Sequence, residues 1–487
     1  MTHAQLAARR KWIALALLAT TQFVIVLDAA IVNVAIPSIG EDLDFSTENL
    51  AWIPNAYALT FGGFLLLGGR MADLLGRRRM FMAGLAVFGS ASLLGGLSAT
   101  EEQLIAMRAL QGLGAAMLAP TALSMVTNMF TEGAERNKAL GAWGAVSGSG
   151  GAAGVLLGGV LTKYAGWEWV LWVNVPIVVI AALLAPRLLV ESRVDSATRH
   201  FDALGAVVVT AALSILVFAL VDSVDAGWGS TQTIALLALS CALLVVFVAI
   251  ERRSIAPLVP FRIFRLRTLT GANVIGLLLG ASIFSMFFFL SLYMQDVLHY
   301  DALKTGLSYL PLALVIIVSA GIASQLVTKV GLKPVLLTGL VLLTIALLWF
   351  TQLPTDGVYV QHILPPMVPA ALGLGFAFVP VTIAAVSGIS PDDSGLASGL
   401  INTSQQVGGA LGLAVLATVA NTRTQDLLEA AHGDPAAVPG ALTDGFNLAF
   451  LTGAGFAVLG IVAALVMIRT SESKALVGAD PAEVPAV

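Results

Sequence analysis

The sequence predicts an all-α membrane protein, two six-helix bundles plus two inserted helices, with 14 transmembrane helices in all. Three observations carry this reading. Hydrophobic residues make up 58% of the 487 positions and charged residues only 11%, where soluble chains carry roughly 25% charged. A chain so long and so apolar cannot cover a water-facing surface, so lipid is its solvent over much of its length. Apolar stretches recur at close to the ~20 residues that a bilayer-spanning helix needs, and the basic residues then gather on one side.

The spans fall at 12–37, 50–69, 80–99, 103–126, 139–162, 170–190, 204–222 and 231–250, then at 271–295, 305–328, 334–353, 361–389, 395–420 and 446–468. The first follows Arg9-Arg10-Lys11. It is too long for a signal-peptide core and lacks a small-residue cleavage site, so it reads as a membrane helix. Two spans carry the weakest signal: 361–389 holds Pro365, Pro366, Pro369 and Pro380, and 395–420 is rich in Gly, Ser and Gln.

The basic residues test the count. With the N-terminus in the cytoplasm, 21 of the 25 Lys and Arg fall in cytoplasmic segments. Three (Lys163, Lys304, Arg423) fall outside, and Arg108 lies within a span. Such an imbalance follows the positive-inside rule, and one missed helix would swap the side of every later loop. Both termini are therefore expected in the cytoplasm, and the chain is read as a monomer surrounded by membrane lipid.

The expected organisation is a bundle at 1–190, a linker with two inserted helices at 191–260, a second bundle at 261–470, and a disordered tail at 471–487. A net charge of −4 with no basic face argues against a nucleic-acid partner. The single Cys241 excludes a disulfide framework within the chain and reads as a small core residue. The five histidines are scattered, and neither an H-E-x-x-H nor a G-x-S-x-G pattern occurs. No catalytic residue, metal site or organic cofactor is therefore expected. A nucleotide-binding Gly-x4-Gly-Lys-Ser/Thr loop is also missing. Rings of like charge, which a channel needs, are absent too.

One loop repeats faintly. Gly69-Arg70-Met71-Ala72-Asp73-Leu74-Leu75-Gly76-Arg77-Arg78-Arg79 is echoed eight helices later by Ser324, Thr328, Gly331 and Lys333 at matching spacings. Internal repeats are common in transporters, with the binding site between them.

At these residues the chain resembles the fourteen-helix drug:proton antiporters of the major facilitator superfamily, over nearly its whole length. Gly69-x3-Asp73-x2-Gly76-Arg77-Arg78-Arg79 is similar to the family's loop between helices 2 and 3, with Leu74 where a basic residue is usual. Arg108-x2-Gln111-Gly112-x-Gly114 is similar to the Arg motif of proton-coupled members. Gly141-x8-Gly150-x3-Gly154-Val155-x2-Gly158-Gly159 resembles the antiporter signature, with Val155 replacing its proline. Leu27-Asp28 through Pro37, Trp167-Glu168-Trp169 leading to Asn174-Val175-Pro176, and Gly395 through Gly412 also look like this branch. The resemblance implies export across a bacterial inner membrane with protons as the coupling ion, but not a substrate; one deep acid among apolar walls suits small hydrophobic or monocationic compounds, drugs or antibiotics. The alternatives are a dedicated exporter of one natural product or lipid, and, more distantly, a membrane-embedded enzyme.

Asp28 is the one carboxylate placed deep inside a span. An Asp at a helix centre costs about 2.5–3.5 kcal/mol on insertion scales, so it must face a cavity, find a partner or carry a proton. It is the candidate coupling acid. Arg108, the one basic residue within a span, is the candidate fixed charge that competes with the proton for Asp28. Gly69, Asp73, Gly76, Arg77 and Arg78 are, by resemblance, the gate between the halves. Gly150, Gly154, Gly158 and Gly159 leave bare helix faces for a rocking contact with the other half, or for tight packing. Asn33, Asn55, Tyr57, Gln111, Asn402 and Gln405 are candidate cavity-lining polar groups. Phe284 and Phe288 are a candidate apolar wall for substrate.

Overall fold

A computed structural model describes residues 3–45, 49–50, 52–130, 133–192, 202–254, 257–432 and 434–469. The expected tail at 471–487 and part of the linker, 193–201, lie outside the described residues. The first half runs through α1 (His3–Asp42), α2 (Trp52–Leu75), α3 (Arg77–Gly95), α4 (Glu101–Met129) and α5 (Ala134–Tyr164), ending with α6 (Glu168–Trp172) and α7 (Asn174–Leu188). A hairpin of α8 (Ala203–Ala226) and α9 (Thr231–Glu251) follows. The second half comprises α10 (Arg267–Leu292), α11 (Ala302–Ser308), α12 (Leu310–Val330), α13 (Leu332–Phe350), α14 (Leu364–Val386), α15 (Ser394–Ala430) and α16 (Val438–Met467).

A helix stands at each of the fourteen expected spans. Among the described residues, 12 segments are long and apolar enough to cross a membrane. The two that fall short are α3 and α15. The first opens on Arg77-Arg78-Arg79, and the second carries Ser, Asn, Thr and Gln through its first half. Length is not the obstacle, since α15 has 37 residues. The prolines of α14 do not break it: Pro365 and Pro366 sit in its first turn, where their missing N–H groups are orphans anyway.

Local chemistry sets the helix ends. Thr100 caps α4 by accepting from Gln103 N, while Gln103 Oε1 takes Ala99 N, the reciprocal logic of a capping box. Asp202 caps α8 and Ser230 caps α9. Gly76 and Gly331 turn the chain between α2 and α3 and between α12 and α13, with φ of +107° and +90°, a region that suits glycine. These two turns are the partners in the faint sequence repeat. The helix pairings repeat as well: α1 with α5, α2 with α4 and α3 with α4 match α10 with α15, α12 with α14 and α13 with α14. The halves meet where α2 packs on α15 and α5 packs on α12.

The hairpin is asymmetric. α8 packs on both α2 and α15, while α9 packs on α8. Leu66 of α2, Ala206, Val209 and Leu213 of α8, and Leu396 and Ala397 of α15 share one buried cluster. At the other end of α8, Phe218 stacks on Trp52 at 5.8 Å, and Trp228 donates to Thr418 of α15 at 2.9 Å. Glu251, at the end of α9, accepts from the backbone of Leu258 and Val259 and so holds the connection to the second half. Ile234, Leu239, Val245 and Val246 of α9 are exposed, as a lipid-facing helix requires. Cys241, expected in the core, is exposed on α9 instead, because this helix buries a single face.

The long basic segments converge on one end of the molecule, called the basic end below. There Arg70 reaches Pro257 O, Arg77 reaches Ser192, Lys11 faces Glu135 and Arg262 pairs with Asp393. The opposite, far end joins Trp167 to Asp42 and Asn49 to Glu101.

Candidate functional site

Two polar centres stand out within the apolar bundle. The first surrounds Asp28, which is 0% exposed in the middle of α1. Its Oδ2 accepts from Arg108 Nη1 at 2.7 Å, and its Oδ1 accepts from Gln111 Nε2 and Asn174 Nδ2, both at 2.7 Å. Gln111 sits one turn from Arg108 on α4, so both side chains leave the same face. Arg108 donates further to Gln111 Oε1 at 2.5 Å and to Ile53 O at 3.1 Å, and its guanidinium lies 4.5 Å from the centre of the Tyr57 ring. Gln111 Nε2 also reaches Ser92 Oγ at 2.7 Å. The circle thus draws one or two side chains from each of α1, α2, α3, α4 and α7.

The insertion cost of Asp28 is met by a partner, not by an open cavity. All three donors to the carboxylate are N–H groups, the arrangement of an ionised acid held by a charge-assisted bond and two amides. Four of the five contributing helices bring their residues from near the far end. At about 1.5 Å per residue, Tyr57, Ser92, Arg108 and Asn174 lie roughly 5–10 Å from the far ends of their spans.

Tyr57 and Gln111, expected to line a cavity, belong to this circle and are buried at 3% and 1% exposure. Asn33 is exposed but bonds only back to Ala29 O. Asn55 is half-buried. Asn402 is half-buried and bonds to Ser398 O within its own helix. Gln405 is half-buried, and its backbone carbonyl lies against Gly280. Phe284 and Phe288 are both exposed by more than 40%, Phe284 lying over Gly409 and Phe288 edge-on to Phe289 at 5.2 Å. These residues do not converge on one pocket. Asn174 and Ser92 were missed as members of the acid's circle. Asn174 stood within a recognised motif, but nothing in its spacing pointed it at Asp28.

The second centre joins the halves at the basic end. Asp73 is fully buried and pairs with Arg77 at 2.6 Å. Its two oxygens also accept from the backbone N–H groups of Gly395 and Leu396 at 3.1 Å each. These belong to the first turn of α15, where N–H groups have no helical partner and the dipole favours an anion. Arg77 completes the clasp by donating to Pro391 O at 2.6 Å. A side chain on Gly395 would lie 2.6 Å from Asp73 Oδ1, and Gly69 faces Gly395 directly, so both positions need glycine. Ser124 and Asn128 each bond Ser394 at 2.7 Å, and Asn137 bonds Thr328 at 3.0 Å. Arg78, expected in the gate, stays in its own half: its backbone N–H and guanidinium serve Glu191. Gly76 turns the chain beside that same Glu191.

Asp73→Ala removes an ion pair and two helix-end bonds at once. The expected result is a transport rate at least about tenfold lower at equal expression, the factor that 1.4 kcal/mol supplies. An unchanged rate in a whole-cell efflux assay would show that the clasp is idle.

The glycines of α5 divide between two partners. Gly141, Gly144 and Gly148 face Ser324, Val379 and Ile316 of the second half. Gly150, Gly154 and Gly158 instead face Val26, Leu27 and Ile31 of α1, and Gly159 is buried. The expected rocking contact with the other half is therefore misplaced for Gly150, Gly154 and Gly158. A bare α5 face lets α1 approach, and the carboxylate circle sits on that helix.

Residues 18–413 match the Major Facilitator Superfamily. The chain is 39% identical over 463 residues to the puromycin resistance protein pur8 of Streptomyces alboniger, covering 94% of this chain and 92% of that protein. It is 41% identical over 436 residues to the cephamycin export protein CmcT of Amycolatopsis lactamdurans, covering 89% and 88%. The crystal structure of the human organic anion transporter MFSD10 (TETRAN) superposes with a TM-score of 0.64 at 16% identity, over 95% of this chain and 100% of that one. Sequence and fold agree that the chain belongs to the Major Facilitator Superfamily and is a multi-pass membrane transporter, not an enzyme.

Proposed function

We propose that the protein exports small hydrophobic or monocationic antibiotics from the cytoplasm in exchange for protons, by alternating access between its halves. The observation that carries this reading is the buried Asp28–Arg108 pair. A lone carboxylate with an always-charged partner can hold one proton or one counter-charge, and the choice changes what the surrounding helices are bonded to. The clasp at Asp73 supports the second requirement, a bond between halves that can open and close. In this reading fourteen helices cross a bacterial inner membrane, the bundles are 1–190 and 261–470, and the basic end faces the cytoplasm. The clasp then closes the cytoplasmic side.

The drive is adequate. One pH unit supplies about 1.4 kcal/mol per proton. A 100 mV potential adds about 2.3 kcal/mol per charge.

Relatives named for puromycin resistance and cephamycin export direct the choice of substrate. Expression in a pump-deficient bacterium is expected to raise the inhibitory concentration of puromycin or a cephamycin at least about fourfold, and a proton uncoupler should erase the difference. Protection against a single compound would favour a dedicated exporter. No protection, and no proton-dependent flux in vesicles, would refute the proposal.

A further inference from the structure

We infer that Asn174 is a positioning residue for proton movement, one end of its amide holding Asp28 and the other receiving the water that brings the proton. The inference rests on the proton-coupling reading above. Asn174 is 0% exposed, and its Nδ2 donates to Asp28 Oδ1 at 2.7 Å. That bond fixes the orientation of the amide, because a carboxylate oxygen accepts only from the nitrogen end. The carbonyl end, Oδ1, is buried and accepts no hydrogen bond from the described residues. Leaving a buried acceptor unpaired costs about 1–3 kcal/mol. No other side-chain atom of Asp28, Arg108, Gln111 or Ser92 is left so. An acceptor of this kind, on the same amide that holds the coupling acid, suits a water molecule.

Asn174 opens α7 one residue after the five-residue α6, and Val173 between them keeps helical dihedrals and donates to Trp169 O at 3.0 Å. α6 is fastened from outside: Trp167 donates to Asp42 at 2.9 Å, and Trp172 donates to Leu93 O at 3.2 Å. In this proposal the water reaches Asn174 from the far end, past α6, which packs on α1, α3 and α5. The path is short, about six residues or 9 Å along the helix axis.

The groups that face Asp28 permit the step. Arg108 from α4 and Tyr57 from α2 are the titratable side chains in the circle. α3, α5, α6 and α7 carry their charges toward their ends, at Arg77–Arg79, at Glu135, Arg136, Lys138 and Lys163, at Glu168 and at Arg187. A hydronium ion at Asn174 Oδ1 gives one proton to Asp28 Oδ1 as the amide N–H lets go. The hydronium becomes water and the carboxylate becomes the neutral acid. Arg108 is not stranded, since it still donates to Gln111 Oε1 and Ile53 O.

The test compares Asn174→Leu, which keeps the heavy-atom branching without the amide, with Asn174→Ser, whose hydroxyl can both donate and accept. Each is reconstituted in phosphatidylethanolamine–phosphatidylglycerol vesicles with ethidium, a lipophilic monocation, as the probe. Two fluxes are read: counterflow at equal pH, and transport driven by an imposed pH gradient. Asn174→Leu is expected to lose gradient-driven flux at least about tenfold more than counterflow, roughly 1.4 kcal/mol in rate. Asn174→Ser should recover most of the driven flux. The inference is overturned if Asn174→Leu keeps the driven flux. Equal loss of both fluxes with no rescue by Asn174→Ser also overturns it, because the role is then structural. A wild type that ignores the gradient removes the proton-coupling reading itself.

Discussion

Asp28→Asn is expected to lower gradient-driven efflux at least about 100-fold, near 2.7 kcal/mol in rate, while the protein still inserts and folds. The amide matches the carboxyl in size and keeps an acceptor oxygen toward Arg108. Arg108 also retains Ile53 O, Gln111 Oε1 and the face of Tyr57. What disappears is the ability to take up and release a proton, together with the Oδ1 acceptor that Gln111 and Asn174 share. Arg108→Ala is expected to behave differently. It leaves a buried carboxylate with only Gln111 and Asn174, and breaking a buried pair in this way costs about 3–5 kcal/mol. The melting temperature in detergent should therefore fall further for Arg108→Ala than for Asp28→Asn. Everted vesicles loaded against a pH gradient read the rate, and thermal unfolding reads the stability. Wild-type efflux by Asp28→Asn would remove this acid from the mechanism.

Gly154→Leu is expected to reduce efflux below a tenth of wild type and to lower thermal stability as well. A Cβ there would lie 2.7 Å from Leu27 O, 2.8 Å from Ala30 Cβ and 3.1 Å from Ile31 N. Two of these are backbone atoms of α1, so the helix itself must move. Overpacking costs about 1–3 kcal/mol in well-packed cores. Here the displaced segment also carries Asp28, whose three bonds are all 2.7 Å long and tolerate little movement. Gly151→Leu, three residues away, is the control: a Cβ there meets nothing within 4 Å, and efflux should stay within about twofold. Equal behaviour of the two variants would show that the α1–α5 contact has slack.

Much of this was legible from the amino acids. Charge in a membrane helix is costly, so the only two charges read inside spans, Asp28 and Arg108, had reason to meet, and they do. The loop from Gly69 to Arg79 announced a special turn through its glycines and its acid. The direction of side chains around a helix axis was not legible. Neutral amides and hydroxyls are frequent in spans, and rotation alone decides that Asn174 and Gln111 face Asp28 while Asn33 and Asn402 bond to their own helices. For the same reason the α5 glycines read as one surface, although about a third of a turn separates those that serve α1 from those that serve the other half. Arg78 looked equivalent to Arg77 in the sequence. A helix places consecutive residues about 100° apart, so only one of them reaches Pro391, just ahead of α15.

The inserted hairpin gives the molecule two unlike flanks. The α2–α15 seam lies under α8, pinned near both ends through Leu66 and Leu396 and through Trp52 and Trp228. The α5–α12 seam carries no inserted helix among the described residues, and there the two helices touch directly, Gly141 against Ser324 and Gly148 against Ile316. A greasy molecule in the bilayer therefore meets the hairpin on one flank and the bundle's own helices on the other.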